Sequence, residues 1–219
     1  MAIALAVLFV ISPLQKITVP EIDQDERDIY KIALDSILNK RLREIPEIKL
    51  NNVGKYCAII KQGTAISEIE PSKTDWSTSK DTVKIKYAQY YWNYIAEEAK
   101  MADIKETEII SSFISRNSLP GVHKGAVQNS EKYNVVTITE LEISELRGWG
   151  SFWDRFYIKY PYAFGLVNLS RVGFNSDKTE GMLYIGYSWG RLAGRGYLMK
   201  FRKINGQWII TNESLMWLS

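Results

Sequence analysis

Helical periodicity dominates the first two thirds of this sequence. Asp23 and Glu26 form a capping pair that predicts a helix from about Gln24 to Arg43. Apolar residues spaced three and four apart predict three further amphipathic helices. These three begin near Thr82, Lys105 and Trp149.

The last third alternates between apolar and polar positions, which is typical of β-strands. Asn205-Gly206 lies between two such stretches and predicts a two-residue type I′ hairpin turn, so the strands around it are antiparallel. We therefore expect an α+β fold in which N-terminal and central helices pack on one face of a C-terminal antiparallel sheet of four or more strands. The predicted strands cover residues 55–60, 134–143, 165–174, 181–187, 196–204 and 207–218.

The N-terminus begins with an unbroken apolar run, Ala2 to Ile11. As a helix it spans about 15 Å, half of a hydrocarbon core, so we expect no integral membrane segment in the mature chain. The length fits the h-region of a signal peptide, with Pro13 as the helix break. We assign residues 1–15 to a possible signal-peptide h-region and residues 16–219 to a single α+β domain, which predicts a secreted or cell-envelope protein. In the alternative, the run is a buried first element of the mature domain.

Composition narrows the classes of site. The 219 residues include one Cys and one His, which excludes Cys-rich zinc or iron–sulfur sites and His-rich metal centres. A net charge of +3 is too small to indicate nucleic acid, and we expect none as a partner. No cofactor and no metal ligand is predicted.

Basic residues cluster in the last strands. A nucleic-acid or anionic-glycan surface is one interpretation, but strand alternation explains the pattern as a solvated face whose aromatic residues point into the core. The set comprises Arg191, Arg195, Lys200, Arg202 and Lys203, interleaved with Trp189, Tyr197 and Phe201.

Several sequence blocks resemble a group of uncharacterised bacterial exported proteins that end in a similar "SRVGFN … GxGY … NGxW … WxS" run. The resemblance spans most of the chain and implies export, but no activity. The helices together with the "NGxW" strand are also loosely similar to cystatin-like and NTF2-like cone folds, which host enzymes and binding modules alike. The blocks are 28–30, 113–117, 169–175, 182–186, 194–201, 205–208 and 217–219.

Catalytic patterns are weak. Gly186-Tyr-Ser188-Trp-Gly190 matches G-x-S-x-G, but a strand rather than a helix is predicted after it, and the single His123 precedes the serine. Glu140 and Glu142 are predicted to share one exposed face of a strand. No catalytic residue is therefore assigned.

Aromatic residues supply the binding candidates. Tyrosines at helical spacing are costly to bury without hydroxyl partners, so their face is our candidate groove. Arg171 would need a partner if it is buried, and we expect a structural ion pair. The candidates are Tyr87, Tyr90, Tyr91, Tyr94, Trp149, Trp153 and Arg171.

The leading functional hypothesis is a non-catalytic, exported binding domain for a small molecule, glycan or protein partner. The alternatives are a small-molecule enzyme with a buried carboxylate in an NTF2-like cone, and an intracellular inhibitor or immunity-type protein. A cavity lined by a desolvated carboxylate favours the enzyme. A packed interior with an exposed aromatic patch favours binding.

Overall fold

A computed structural model describes residues 21–44, 54–61, 94, 97–100, 104, 106–117, 125–147 and 151–219. Its helices are α1 (Gln24–Glu44), α2 (Thr107–Asn117), α3 (Glu140–Leu146) and α4 (Phe152–Lys159). Residues 94 and 97–100 are also helical. The strands are β1 (Tyr56–Lys61), β2 (Tyr133–Ile138), β3 (Ala163–Leu169), β4 (Gly173–Phe174), β5 (Glu180–Gly190), β6 (Ala193–Ile204) and β7 (Gln207–Leu218).

The strands form one mixed sheet in the order β2-β1-β3-β5-β6-β7, with the short β4 paired to β5. From β3 to β7 the pairing is antiparallel, as predicted for the C-terminal part of the chain. The β1 strand pairs in parallel with both β2 and β3, which extends the sheet beyond the antiparallel run. The α+β class is confirmed, with helices in the N-terminal and central parts and the sheet concentrated in the C-terminal part.

Helices cover both faces of the sheet, whereas one covered face was expected. Alternate residues of β5 belong to different clusters: Leu183 and Ile185 pack under α1, whereas Met182 and Tyr184 pack under α2. A third cluster joins α3 and α4 to β1, β2 and β3. Side chains of neighbouring strand residues point to opposite faces, so a strand buried on both sides reads as a continuous apolar run.

Two predicted strands have different limits. The strand expected over 134–143 ends at Ile138, and α3 begins directly afterwards. Thr139 caps this helix: its side chain accepts a hydrogen bond from Glu142 N, and the Glu142 carboxylate accepts one from Thr139 N. The strand expected over 165–174 is divided into β3 and β4, and the residues between them carry the buried Arg171.

The β6–β7 hairpin has the predicted turn. Asn205 and Gly206 adopt positive φ angles of 52° and 80°, which a type I′ turn requires at both central positions. The hairpin brings Lys203 opposite Trp208. Both side chains reach Asp25 at the start of α1, at 2.6 Å from Lys203 Nζ and 2.8 Å from Trp208 Nε1. This contact fixes one end of α1 on the sheet.

Candidate functional site

A buried ion-pair cluster lies where α1, α2 and the segment between β3 and β4 meet. The Glu26 side chain has no exposed surface, and Arg171 is 1% exposed. Arg171 donates from Nε to Glu26 Oε1 at 2.7 Å and from Nη2 to Glu26 Oε2 at 2.9 Å. Arg116 Nη2 donates to Glu26 Oε2 at 2.6 Å. The ion pair expected for Arg171 is confirmed, and this candidate offers almost no surface to a ligand.

Neutral groups complete the same cluster. The Tyr30 hydroxyl donates to Glu26 Oε1 at 2.8 Å and lies 3.1 Å from the carbonyl oxygen of Ser170. Asn117 binds the backbone of Arg171 twice, accepting from its N–H at 2.7 Å and donating to its carbonyl oxygen at 3.0 Å. The cluster therefore locks three segments of the chain together.

Electrostatics agree with a structural role for Glu26. Burial alone would raise the pKa of this carboxyl group, but the hydrogen bonds and charges of Arg171 and Arg116 outweigh it and hold the pKa below its ordinary value. Burial and the nearby Glu26 charge raise the pKa of Tyr30 well above its usual range. Glu26 is thus a firmly ionised carboxylate, which does not suit it to proton transfer at neutral pH.

The aromatic candidates divide between described and undescribed parts of the chain. Tyr87, Tyr90, Tyr91 and Trp149 lie outside the described residues, as does His123. Tyr94 is helical and half-buried. The predicted tyrosine face therefore stays a prediction.

Trp153 belongs to a cluster of rings along α4. Its ring centroid is 5.1 Å from that of Phe152, 5.3 Å from Phe156 and 6.0 Å from Tyr157. Phe156 is fully buried against β1 and β3, whereas Trp153 is half-buried. The helical spacing of these aromatic residues thus mainly serves the core, as is usual for such a stripe.

A second aromatic group lies at the end of β5, near the last turn of α1. Two guanidinium groups lie near the Trp189 ring, with Arg41 Cζ at 4.4 Å and Arg195 Cζ at 5.9 Å from its centroid. Tyr187 stacks on Trp189 with ring centroids 5.0 Å apart. The Tyr157 hydroxyl of α4 donates to the Trp189 carbonyl oxygen at 3.1 Å. Contacts from both layers of helices therefore hold Trp189, which remains half-buried.

Three leucines in the turn after β5 and on β7 are exposed. Leu192, in the turn between β5 and β6, is 81% exposed, and Leu218, directly opposite Arg195, is 64% exposed. Leu215 is 50% exposed and pairs with Tyr197 on the same face. Scattered single leucines are ordinary on protein surfaces, but Leu218 and Leu215 lie next to Arg195 and Tyr197 in the sheet, and Leu192 follows Arg191 in the turn. We call this surface the Trp189 patch; it comprises Trp189, Arg191, Leu192, Arg195, Leu215 and Leu218, and the buried Arg41 contacts its tryptophan ring from α1.

The remaining basic residues of the last strands form ion pairs outside the Trp189 patch. Lys200 is buried, with its Nζ 3.5 Å from Glu180 and 3.6 Å from Glu106, so it is not on a solvated face. Arg202 Nη2 lies 2.6 Å from Glu180 Oε1. Only part of the sequence's basic set therefore reaches the Trp189 patch. The sequence pattern did not single out Arg41 as a site residue, although cations are common in the last turn of a helix.

Other reactive groups lie in structural positions. Ser188 is inside β5, which turns directly into β6, so the strand predicted in place of an elbow helix is confirmed. Glu140 and Glu142 lie on α3 rather than on a strand face. Burial raises the pKa of the Cys57 thiol to about 11, which makes its thiolate scarce at neutral pH. Within the described ranges, no three His, Cys, Asp or Glu side chains converge as metal ligands would.

None of the helices in the described part of the chain is both long and apolar enough to cross a membrane. Comparison with known protein families, with curated proteins and with solved structures finds no match, so the proposals below depend on the geometry and the sequence.

Proposed function

We propose that this chain is a non-catalytic binding domain that engages a partner protein through the Trp189 patch. The observation that carries the proposal is the half-buried Trp189 ring at the end of β5, which contacts the Arg41 and Arg195 guanidinium groups and is followed in the chain by the exposed Arg191 and Leu192. Tryptophan, tyrosine and arginine are the residues most enriched at the energetic centres of protein interfaces.

The charge of the patch suggests the chemistry of the partner. Arg191, which is exposed, and Arg195, which is half-buried, contribute two positive charges at this end of the sheet, and the buried Arg41 adds a third next to the Trp189 ring. The neighbouring carboxylate, Glu213, is in an ion pair with Lys40. Electrostatic complementarity therefore favours a partner surface that combines acidic with apolar residues.

The buried carboxylate Glu26 does not support the alternative of an enzyme with an NTF2-like cone. Among the described residues, Glu26 is the one fully buried carboxylate, and Arg116 and Arg171 engage it. A general acid or base for neutral pH needs a raised carboxyl pKa, whereas that of Glu26 is lowered.

Export is the second part of the proposal. It is supported by the Ala2 to Ile11 run and by the resemblance to exported bacterial proteins; the run lies outside the described residues. The test is the intact mass of the protein recovered from fractionated host cells. A chain shortened by the N-terminal run and found outside the cytoplasm would support export. A full-length cytoplasmic chain would refute it and favour the inhibitor-type alternative.

The patch is tested by charge substitutions at exposed positions, which should leave folding intact. Leu192→Asp and Arg191→Glu alter the patch, and Leu141→Asp on α3, where Leu141 is 71% exposed, is the matched control. Tagged variants would be compared in quantitative affinity purification from host extract. We expect one acidic partner to be captured equally by the unmodified chain and the control, and about tenfold less by each patch variant. Equal capture by all four chains, or no specific capture, would refute the patch as the interface.

A further inference from the structure

The edge strand β7 directs backbone groups away from the sheet near its hairpin turn. It is the last strand in the sheet order, and no strand among the described residues pairs with its outer side. The N–H of Lys203 on β6 donates to the Thr179 carbonyl oxygen on the β5 side at 2.7 Å, so it points away from β7. Trp208, which lies opposite Lys203, is therefore in a non-hydrogen-bonded pair and directs its own N–H and C=O outward. Ile210, two residues further along the strand, does the same.

This part of the edge lacks the charges and prolines that usually prevent pairing with another strand. The segment from Gln207 to Asn212 contains neither, and its tryptophan, isoleucine and threonine residues favour strands. The Ile209 side chain is 42% exposed, although it lies inside a strand. The pairing with β6 skips Thr211, and this bulge limits the open edge to residues 207–211.

A second copy of this chain matches the open edge by symmetry. When β7 pairs antiparallel with β7 of a second copy and Ile209 lies on the two-fold axis, Trp208 of each copy faces Ile210 of the other. Both residues direct N–H and C=O outward, so the two residues of each such pair exchange hydrogen bonds. The Ile209 side chains then pack against each other across the axis. Glu213, the one charged residue of β7, lies beyond the paired segment, so the register brings no like charges of β7 together.

We propose that the chain forms a two-fold dimer in which the 207–211 edges of two copies pair antiparallel and join the two sheets. A contact of this length is smaller than the interface of a permanent dimer, so we expect a Kd on the order of 10–100 μM. The dimer interface goes beyond the binding function proposed above and shares no residue with the Trp189 patch. The two surfaces can therefore be tested separately.

Sedimentation velocity of the full chain, from about 1 to 500 μM, measures the dimer on either side of the expected Kd. We expect the mean mass to rise toward twice the monomer mass. Ile209→Lys places two ammonium groups at the axis and should weaken dimerisation by about tenfold or more, with little change in Tm because the side chain is partly exposed. Ile158→Lys, at an exposed isoleucine of α4, is the matched control and should dimerise as the unmodified chain does. A monomer at every concentration, or equal dimerisation of the two variants, would overturn the proposal.

Disulfide cross-linking tests the register. The Cα atoms of a non-hydrogen-bonded antiparallel pair are about 4.5 Å apart, within the range of a disulfide, so oxidised glutathione should convert Ile209→Cys to a covalent dimer. Gln207→Cys is the control, because the two copies of that position are offset by about 13 Å along the strands in this register. Both variants also carry Cys57→Ala, which removes the one native cysteine. No covalent dimer of Ile209→Cys, or equal cross-linking of the two variants, would refute the pairing.

Discussion

The Glu26 cluster allows a quantitative prediction for the variant Glu26→Gln. Glu26 accepts five hydrogen bonds, at 2.6 to 3.0 Å, from Arg171, Arg116, Tyr30 and the backbone N–H of Val172. A glutamine side chain keeps the shape and one acceptor oxygen. Its amide nitrogen, however, would face Arg171 Nη2 and Arg116 Nη2, which are donors as well.

The expected loss follows from these contacts. Two charge-assisted hydrogen bonds disappear, each worth about 1.5–3 kcal/mol, and the buried Arg171 loses its counter-charge. Breaking a buried ion pair by removing one partner costs about 3–5 kcal/mol. For a domain of this size we expect the Tm to fall by roughly 10 °C.

Urea unfolding monitored by tryptophan fluorescence measures the change in free energy of unfolding, since the chain has seven tryptophans. Glu97→Gln is the matched control, because the side chain of Glu97 is 69% exposed and its substitution should have little effect. Replacing both partners, Glu26→Leu with Arg171→Met, should be less damaging than Glu26→Gln, because no buried charge is then left alone in the pair. A loss below about 1 kcal/mol in Glu26→Gln would refute the structural role of the cluster.

The pH dependence gives an independent check. The folded-state pKa of Glu26 is depressed below the ordinary glutamate value of 4.5. Its ionised form therefore contributes stability above that value, and the contribution is lost as the pH falls through the folded-state pKa. The stability difference between the unmodified chain and Glu26→Gln should be full at neutral pH and narrow in acid. A difference that stays constant down to acid pH would contradict an ionic origin.

Two further substitutions test the packing of single elements. Gly196→Ala places a Cβ atom 2.0 Å from Trp217 Nε1, so the ring must move and its 2.8 Å hydrogen bond to the Tyr184 hydroxyl breaks. We expect the free energy of unfolding in urea to fall by about 2–3 kcal/mol. A fall of less than about 0.5 kcal/mol would contradict the close packing. Thr139→Ala removes the side-chain oxygen that caps α3 and should lower the free energy of unfolding by about 1 kcal/mol in the same measurement. Thr139→Ser keeps the hydroxyl group and is the control. Equal stability of the two variants would show that the cap does not stabilise the fold.

Local patterns predicted the strongly periodic elements well. The Asp23 and Glu26 pair predicted the start of α1, and Glu26 N does donate to Asp23 Oδ1 at 2.9 Å. The Glu26 side chain, however, does not cap the helix. It turns into the core toward Arg171, 145 positions further along the chain, and no local rule contains that contact.

Propensity alone misplaced the boundary between β2 and α3. Residues 134–143 are rich in β-branched residues, which favoured one long strand. The sequence from Thr139 to Glu142 also fits a capping box, and that signal determined where the helix begins. The parallel pairing of β1 with β2 and β3 joins segments more than 70 residues apart, so strand alternation could not predict it.

The Trp189 patch was harder to predict than the fold. Trp189 and Arg195 belonged to the basic and aromatic set of the sequence, but Arg41 reaches Trp189 from α1, and no local pattern contains that contact. Arg171, in contrast, was a binding candidate because an arginine in a predicted strand needs a partner if its face is buried. The same signal is produced by a buried structural ion pair, so a sequence alone does not separate the two.

Three glycines of the sequence blocks discussed above have roles in packing. Gly194 and Gly196 leave room for the Trp217 ring, and Gly173 allows β4 to approach α2, where an added Cβ would lie 2.5 Å from Phe113 Cβ. Leu218 is the unspecified residue of "WxS", and Leu192 lies between blocks. These block residues therefore serve packing, whereas Leu192 and Leu218 of the proposed interface lie outside the specified block positions. A variant that keeps every block and carries Leu192→Asp with Leu218→Asp should retain the Tm of the unmodified chain and lose the partner.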